Sequence, residues 1–290
     1  MPYRLALVLV LACLPSAAYA QQTQKPPVRE ITQVAGDLYR VRNNNHYTVF
    51  YVTPGGIILA DPISADAAAW LKGELATRFP NAPVRYVIHS HHHQDHASGA
   101  AVFNDTAEIV AHENFAAAVR AAAPQDPRYA AVMPPESTYR DRRTIMLGGR
   151  RVELIHPGRM AHAPDFTVLR FPAERAVFVV DYVAVRTVPG SNTLQNGAAI
   201  ADYVNAIKAV EALDFDTAAT GHGPIGTKSD LADHRQYFER LAERVRAGIT
   251  AGRTLDELQK AQIMGEYKGW IEYDEDNDIN IANAYKTLSR

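Results

Sequence analysis

The residues Tyr86-Val87-Ile88-His89-Ser90-His91-His92-His93-Gln94-Asp95-His96 decide how this chain folds. Their apolar start and polar end are typical of a buried strand that gives way to a loop. In an extended backbone alternate side chains point to one side, so His91, His93 and Asp95 are expected to converge. A turn after Asp95 then brings in His96, whereas His92 and Gln94 point away and are predicted not to be ligands. Imidazole nitrogen and carboxylate oxygen are ligands of zinc and its transition-metal neighbours, so the stretch predicts a metal site.

A His-rich surface tract, such as a purification tag, is the alternative interpretation of this stretch. Tracts of that kind lie at chain termini in low-complexity sequence. This one is internal, follows a strand pattern and includes an aspartate. The metal site is therefore the preferred interpretation.

The spacing His91-x-His93-x-Asp95-His96 resembles the HxHxDH signature of the metallo-β-lactamase fold superfamily. Later segments resemble the remaining motifs of that superfamily in the same order. A glycine-containing loop ends in His162-Ala-Pro-Asp, Asp181 ends an apolar strand, and His222 lies between two glycines. The resemblance implies an α/β fold, the αβ/βα four-layer sandwich with two mixed β-sheets face to face and helices outside. Periodicity alone predicts only an α/β chain.

The resemblance also implies two divalent metal ions, most simply Zn²⁺, and a division of the ligands between them. The ligands assigned to the first ion are His91, His93 and His162. Those assigned to the second ion are Asp95, His96 and His222, and the ligand that bridges both ions is Asp181. Asp95 and Asp181 are also the catalytic candidates. Two such ions lower the pKa of a shared water towards about 7, and the resulting hydroxide attacks an electrophilic centre. No G-x-S-x-G pattern points to a serine nucleophile.

Three functions remain open at this stage. The first is an exported dinuclear zinc hydrolase that attacks a lactone, ester, thioester or amide. The second is a true β-lactamase, which is disfavoured by Asp181 in place of a cysteine and by the lack of a nearby lysine, Arg186 being the basic residue there. The third is a metal-binding accessory protein without turnover. Iron-containing redox relatives carry a glutamate in place of a motif histidine, and His93 does not favour that group.

Several other polar residues near these motifs have simpler interpretations. Asp61 either caps the helix that follows or bonds to a ligand. His46 has no second ligand near it in sequence, so a pocket-rim or plain surface position is predicted. His112 is predicted to start a helix and His156 to end a strand.

Hydrophobic periodicity outlines the flanking elements. Helices are predicted over 65–78, 112–122, 198–213, about 229–251 and 254–262. Hairpins are predicted around Gly36-Asp37, Pro54-Gly55-Gly56 and Gly148-Gly149. The segment 124–143, rich in Pro, Arg and Tyr, is expected to be an exposed insertion, and the tail with Trp270 has no recognisable motif.

The N-terminus is typical of a secretory signal over residues 1–20, with Arg4, an apolar core and Ala18-Tyr19-Ala20 as a cleavage site. A membrane anchor is disfavoured because a spanning helix needs about 20 apolar residues, and the apolar run from Leu5 to Leu14 is far shorter. Lipoprotein processing at Cys13 is a further alternative. A flexible lead-in is expected over 21–28 and a single domain with C-terminal helices and a tail over 29–290. The protein is therefore predicted to be periplasmic or secreted.

Composition limits the partners. The chain has 290 residues, of which 47% are hydrophobic, enough for a large core. Its net charge is −2, from 30 basic and 32 acidic residues that are intermixed, so no nucleic-acid surface is indicated. Cys13 is the only cysteine, which excludes an intrachain disulfide. A small-molecule substrate is expected, without stable membrane insertion, and the oligomeric state is not predicted.

Overall fold

The computed structural model describes residues 25–195 and 199–290. The predicted signal at 1–20 lies outside the described residues, as does the lead-in up to residue 24. Val28 exchanges hydrogen bonds with Asn44, its nitrogen with Oδ1 at 2.9 Å and its oxygen with the Asn44 nitrogen at 2.8 Å. Chain pairing therefore begins one residue before the predicted boundary of the lead-in.

The first sheet has seven strands in sequence order. They are β1 (Arg29–Ala35), β2 (Leu38–Asn43), β3 (His46–Thr53), β4 (Gly56–Ala60), β5 (Val84–Ile88), β6 (Glu108–His112) and β7 (Ser137–Tyr139). The strands β1 to β4 pair antiparallel, and β4 to β7 pair parallel. The predicted hairpin at Gly36-Asp37 joins β1 to β2, and the one at Pro54-Gly55-Gly56 joins β3 to β4.

The second sheet has six strands in the order β13-β12-β11-β10-β9-β8. They are β8 (Arg142–Leu147), β9 (Arg150–Ile155), β10 (Val168–Phe171), β11 (Ala176–Val179), β12 (Thr217–Thr220) and β13 (Gly226–Thr227). Only β11 and β12 pair parallel, so this sheet is also mixed.

Seven α-helices flank the sheets in the described part of the chain. They are α1 (Ala65–Arg78), α2 (Gln94–Ala97), α3 (Phe115–Ala122), α4 (Ile200–Glu211), α5 (Lys228–Thr250), α6 (Leu255–Lys260) and α7 (Tyr273–Leu288). Short 3₁₀ turns cover Ala100–Phe103, Pro127–Ala131 and Gly265–Tyr267. No helix within 25–195 and 199–290 combines the length and apolar character that crossing a bilayer requires.

The hydrophobic core has three layers of buried side chains, which confirms the predicted four-layer sandwich. Between the sheets, Tyr51 of β3 meets Phe171 of β10 with ring centroids 5.5 Å apart. Outside the first sheet, Leu71 and its neighbours on α1 pack on buried side chains of β4 and β5. Outside the second sheet, Val177 joins a cluster shared with α4, α5 and α7. Since β11 is buried on both faces, its sequence is a continuous apolar run.

Two expectations about local structure are wrong. His112 does not start a helix: it is the last residue of β6, it is buried, and its Nε2 lies 2.7 Å from the carbonyl oxygen of Arg140. The segment 124–143 is not wholly an exposed insertion, because β7 within it pairs parallel with β6 and buries Tyr139. The apolar alternation in β7 covers only three residues, which is too short to show as a strand pattern.

Candidate metal centre

The His-rich stretch leaves the first sheet earlier than predicted. The strand β5 ends at Ile88, and after a bend the helix α2 starts at Gln94. Asp95 therefore stands on a helical turn rather than on an extended backbone, and it does not share one set of ligand-type atoms with His91 and His93 as predicted. The bend is held by two buried contacts of Ser90, whose nitrogen donates to Asp61 Oδ1 at 2.7 Å and whose oxygen accepts from the Thr167 nitrogen.

Four of the predicted ligands form one compact group. His91, His93, His162 and Asp181 each direct one ligand-type atom into a space in which all four atoms lie within 4.8 Å of one another. Asp181 Oδ2 lies 3.1 Å from His91 Nε2 and 3.3 Å from His162 Nε2. We call these four side chains the inner group. Its members come from the loop after β5, the loop after β9 and the end of β11.

A second group shares Asp181 and consists of His96, Asp181 and His222. Asp181 Oδ1 lies 3.3 Å from His96 Nε2 and 3.2 Å from His222 Nε2, and these two nitrogens are 3.2 Å apart. We call these three side chains the middle group. Asp181 thus faces both groups, one through each carboxylate oxygen, which is the arrangement predicted for a bridging ligand. The assignment of individual residues to metal ions stays a prediction.

Asp95 lies at the outer side of the middle group. Its Oδ2 is 3.8 Å from His96 Nε2 but only 3.2 Å from His46 Nε2. His46, Asp95 and His222 make a third set of ligand-type atoms within 4.8 Å of one another, which we call the outer group. Sequence reasoning left His46 at a pocket rim or on the surface. The antiparallel pairing of β3 with β4 explains its position, since β3 starts at the edge where β4 ends.

The cluster has the chemistry of a metal site rather than of a hydrogen-bonded network. Among the described residues, the buried atoms His91 Nε2 and Asp181 Oδ1 have close polar neighbours in the cluster, but none of these contacts has the geometry of a hydrogen bond. Leaving such atoms unpaired is costly, and a divalent cation is the partner that both accept. The residues present therefore fit a divalent metal ion.

Electrostatics support the same interpretation. Burial, with the neighbouring His93, holds the pKa of His91 well below its usual value, so the imidazole is neutral as a metal ligand must be. Burial raises the pKa of Asp181, but the charge of His96 and a hydrogen bond from the His162 imidazole outweigh it and hold that pKa well below the usual range. Burial lowers the pKa of His96, yet the Asp181 carboxylate outweighs it and raises that pKa. These carboxylate contacts favour a cation, either a proton or a metal ion.

Residues behind the cluster hold the ligands in place. Asp61 is fully buried and its Oδ2 lies 3.5 Å from His96 Nδ1. Its alternative interpretation as a helix cap is wrong, because Ser64 caps α1 through a bond from the Ala67 nitrogen. His92 points to buried Asp165, with Nδ1 and Oδ1 2.8 Å apart, and belongs to none of the three groups.

The loop that carries His222 is tied to the first sheet. The buried guanidinium of Arg40 on β2 donates through Nη2 to the carbonyl oxygens of Thr220 at 2.9 Å and Gly223 at 2.6 Å. His222 Nδ1 lies 3.0 Å from the carbonyl oxygen of Asn45, so Nε2 is the atom left for the cluster. Gly221 is required by close packing, since a Cβ there would lie 2.6 Å from Val180 Cγ1.

The cluster lies at the bottom of an open cavity of about 930 Å³. Residues from the tail complete one wall: the Ile271 nitrogen donates to the Arg186 oxygen at 2.9 Å, and the Val188 nitrogen donates to the Ile271 oxygen at 2.9 Å. The next residue, Glu272, has a left-handed φ of 62° and lines the cavity. The Arg186 side chain is exposed and is not part of the lining. Sequence reasoning assigned this tail no role.

The cavity lining offers few basic side chains. Arg128 is the basic residue of the lining, and its Nη2 is already paired with Asp126 Oδ2 at 2.6 Å. No lysine belongs to the described lining. Gln94, predicted to point away, does line the cavity.

Comparison with known proteins places the chain. The sequence profile of the family described as Metallo-beta-lactamase superfamily matches residues 42–222. The 2,4-dinitroanisole O-demethylase subunit alpha of Nocardioides sp. (strain JS1661) is 29% identical over 192 residues, 65% of this chain and 56% of that protein. The chain thus spans little more than half the length of this curated relative.

Two solved structures share the fold. The metallo-beta-lactamase from Pontibacter korlensis has a TM-score of 0.62 and 19% identity, covering 73% of this chain and 99% of its own. The stereoselective inverting sec-alkylsulfatase from Pseudomonas sp. has a TM-score of 0.69 and 17% identity, covering 89% of this chain and 50% of its own. At these identities the likeness shows the fold alone.

Proposed function

The chain belongs to the metallo-beta-lactamase superfamily, and from that premise we propose that it is an exported, dinuclear zinc hydrolase of a carbonyl-type substrate. The substrate class comprises lactones, esters, thioesters and amides. Export follows from the proposed leader at 1–20, which would be removed after Ala20. Family membership supports a metal-dependent hydrolase, and the substrate and the number of ions are the proposed part.

One observation carries the proposal: the inner and middle groups meet at Asp181 on the floor of an open cavity. A structural metal site is closed by its ligands, whereas a catalytic site keeps a position for water or substrate. The inner group supplies three histidines and faces a cavity large enough for a small molecule. An accessory protein that only stores metal has no need of this access.

When bound, two divalent ions lower the pKa of water and polarise the bond to be cleaved. The side chains of this protein do the positioning. Neutral His91 is kept ready by burial, and Asp181 faces both groups with one oxygen each. Burial raises the pKa of Asp95, but His46 and His96 outweigh it and lower that pKa, so the carboxylate stays ionised. Asp95 lines the cavity, where its ionised carboxylate can orient a water by accepting a hydrogen bond from it.

A true β-lactamase is the second candidate. The likeness to the Pontibacter korlensis enzyme supports the fold and leaves the substrate open. Arg128 is the basic side chain of the described lining and is paired with Asp126, so the carboxylate of a β-lactam drug would depend on the metal ions for a cationic partner. Glu272 adds a negative charge at the wall. The side chains thus add no attraction for an anionic drug beyond that of the metal ions, and a neutral ester or lactone is the preferred substrate.

Aryl ethers form a third substrate class to be tested. The relative from Nocardioides sp. is named as a 2,4-dinitroanisole O-demethylase subunit, and its match includes 65% of this chain. A methyl aryl ether lacks a carbonyl, so its cleavage requires attack at an aromatic or methyl carbon. The substrate panel therefore includes an activated aryl ether.

The test uses the mature chain freed of metal with a chelator and reloaded with zinc. Elemental analysis gives the ions per chain, and kcat/KM is measured for lactone, ester, thioester, aryl ether, penicillin, cephalosporin and carbapenem substrates. We expect two ions per chain and a lactone or ester cleaved at least as well as any β-lactam. The metal-free protein is the control and should be inactive.

Two outcomes would change the conclusion. A kcat/KM for a β-lactam tenfold above that for every ester corresponds to about 1.4 kcal/mol of transition-state preference. That result would make true β-lactamase the preferred function. A fully loaded protein that turns over none of the panel would favour the accessory protein.

A further inference from the structure

His46 begins β3 at the edge of the first sheet that faces the cluster. Its Nε2 lies 3.2 Å from Asp95 Oδ2, and its ring centroid is 4.9 Å from that of His222 and 5.9 Å from that of His96. Its side chain is 31% exposed and lines the cavity. This imidazole is thus part of the cluster, although it matches no position of the HxHxDH signature or of the later motifs.

The contact between His46 and Asp95 has the length expected between two ligands of one ion. Ligand atoms bound at about 2.1 Å to one ion lie about 3.0 Å apart in octahedral and about 3.4 Å apart in tetrahedral geometry. The contacts of Asp181 with His96 and His222 are 3.3 and 3.2 Å. The 3.2 Å contact between His46 and Asp95 falls in the same range. The distance between His46 Nε2 and Asp95 Oδ2 is therefore the distance expected between two neighbouring ligands of one ion.

The turn before His46 is built for this position. Asn45, the preceding residue, orients His222 through its carbonyl oxygen, and Tyr47, the following residue, donates its nitrogen to the Gly221 oxygen at 2.8 Å. The same short segment therefore fixes His222 and places His46 beside it. Such double anchoring restricts the backbone on both sides of the imidazole, as expected for a ligand that must be held in advance.

We infer that His46 is an additional nitrogen ligand of the second metal position, which it enters from the side of Asp95 and His222. The inference rests on the proposed metal site, because it requires that the cluster bind a second ion. It changes the character of that position: His46, Asp95 and His222 supply three ligand-type atoms within 4.8 Å of one another, so the second ion has fewer open positions for water than it would have without His46. The inner group then remains the more open site for substrate.

A hydrogen bond from His46 to Asp95 is the competing explanation of the 3.2 Å contact. The substitution His46→Gln distinguishes the ligand role from the hydrogen-bonding role. The glutamine amide still donates a hydrogen bond to a carboxylate but is a poor ligand for transition metals. A ligand role predicts that glutamine fails to replace His46. A hydrogen-bonding role predicts that glutamine restores wild-type behaviour.

The experiment titrates metal-free wild type, His46→Gln and His46→Ala with Co²⁺ and follows the visible absorption of each bound ion. His156→Gln is the matched control, since it removes an imidazole that lies outside all three groups. We expect wild type and the control to bind two ions. Both His46 variants should bind the first ion normally and the second at least tenfold more weakly, with an altered spectrum for the second ion. Far-UV circular dichroism checks that all four proteins are folded.

Two results would overturn the inference, and they are distinguishable. If wild type binds two ions and His46→Gln binds both with the same affinity and spectrum, His46 is not a ligand while the proposed site stands. If wild type itself binds fewer than two ions, the dinuclear site fails and the inference fails with it. Proton NMR of the Co²⁺ protein adds a direct count, because His46→Gln should lose one shifted imidazole N–H signal.

Discussion

Arg40→Met tests how the two sheets are joined at the metal centre. Arg40 is 6% exposed, and its guanidinium reaches from β2 to the loop that carries His222. It donates to the carbonyl oxygens of Thr220 and Gly223 and lies 3.7 Å from the ring centroid of Tyr47. Methionine fills a similar volume without donating. The substitution therefore removes the hydrogen bonds and keeps most of the packing.

The magnitude follows from the burial of the two carbonyl groups. Thr220 is fully buried, so its carbonyl group would lose its charged donor at a cost of about 1–3 kcal/mol. Gly223 is half-buried, and water can replace the donor there at a smaller cost. Burial lowers the pKa of Arg40 to about 10, because the charged guanidinium is costly to remove from water. Replacing it with methionine avoids that cost, which offsets part of the free energy lost with the hydrogen bonds. We expect the free energy of unfolding to fall by about 1–3 kcal/mol.

Urea unfolding of the metal-free protein measures this change, and equilibrium dialysis measures the second ion. We expect the second ion to bind about tenfold more weakly, because the loop that supplies His222 is no longer tied down. Arg42→Met is the matched control: Arg42 lies two residues further along β2, and within the described residues its side chain donates a hydrogen bond only to the exposed Asn44 oxygen, at 2.8 Å. If Arg40→Met and Arg42→Met unfold at the same urea concentration and bind the second ion equally, the tether has no energetic role.

Three further predictions concern the bridge, the glycine beside it and a buried histidine. Asp181→Ala should keep the fold by circular dichroism but reduce metal content to one ion per chain or fewer, because a bridging carboxylate offsets the repulsion of two dications; elemental analysis showing two ions would contradict this. Gly221→Ala would place a Cβ 2.6 Å from a buried valine methyl and 3.3 Å from His96 Cε1. It should therefore lower the free energy of unfolding, measured in urea, by about 1–3 kcal/mol. Gly269→Ala is the control, because a Cβ at Gly269 meets open space. Burial lowers the pKa of His234 to about 4, whereas the unfolded chain binds a proton below about 6.5. Stability should therefore fall by up to about 3 kcal/mol as the pH drops from 6.5 to 4, and His234→Phe should flatten that part of the urea-derived pH profile; an unchanged slope would contradict it.

The sequence predicted most of this arrangement because the cluster is encoded in short motifs at strand ends. The sandwich and the convergence of His91, His162 and His222 followed from such motifs and from their order in the superfamily. The reason first offered for Asp95 was wrong, since a helical turn replaces the extended backbone. Alternation of side chains describes a strand and does not extend past its last residue.

The unpredicted parts depend on contacts between distant segments. His46 has no ligand-type neighbour in sequence and reaches the cluster only through the antiparallel pairing of β3 with β4. Glu272 lines the cavity because Ile271 pairs with the loop after β11, far earlier in the chain. Local sequence patterns carry no information about such pairings, so the role of the tail follows only from its packing against that loop.

The crowding of His91, His93, Asp95 and His96 into six residues also matters when the protein is unfolded. A metal ion stabilises a fold only by the difference between its affinities for the folded and unfolded chains. Residues so close in sequence can chelate an ion without any tertiary structure, whereas His162, Asp181 and His222 join them only on folding. Part of the binding energy is therefore present in both states and cancels. Thermal stabilisation by a divalent ion bound at the proposed site should accordingly be smaller than the folded-state dissociation constant alone implies, and an unfolded chain released into a metal-containing medium would still carry an ion back into the fold.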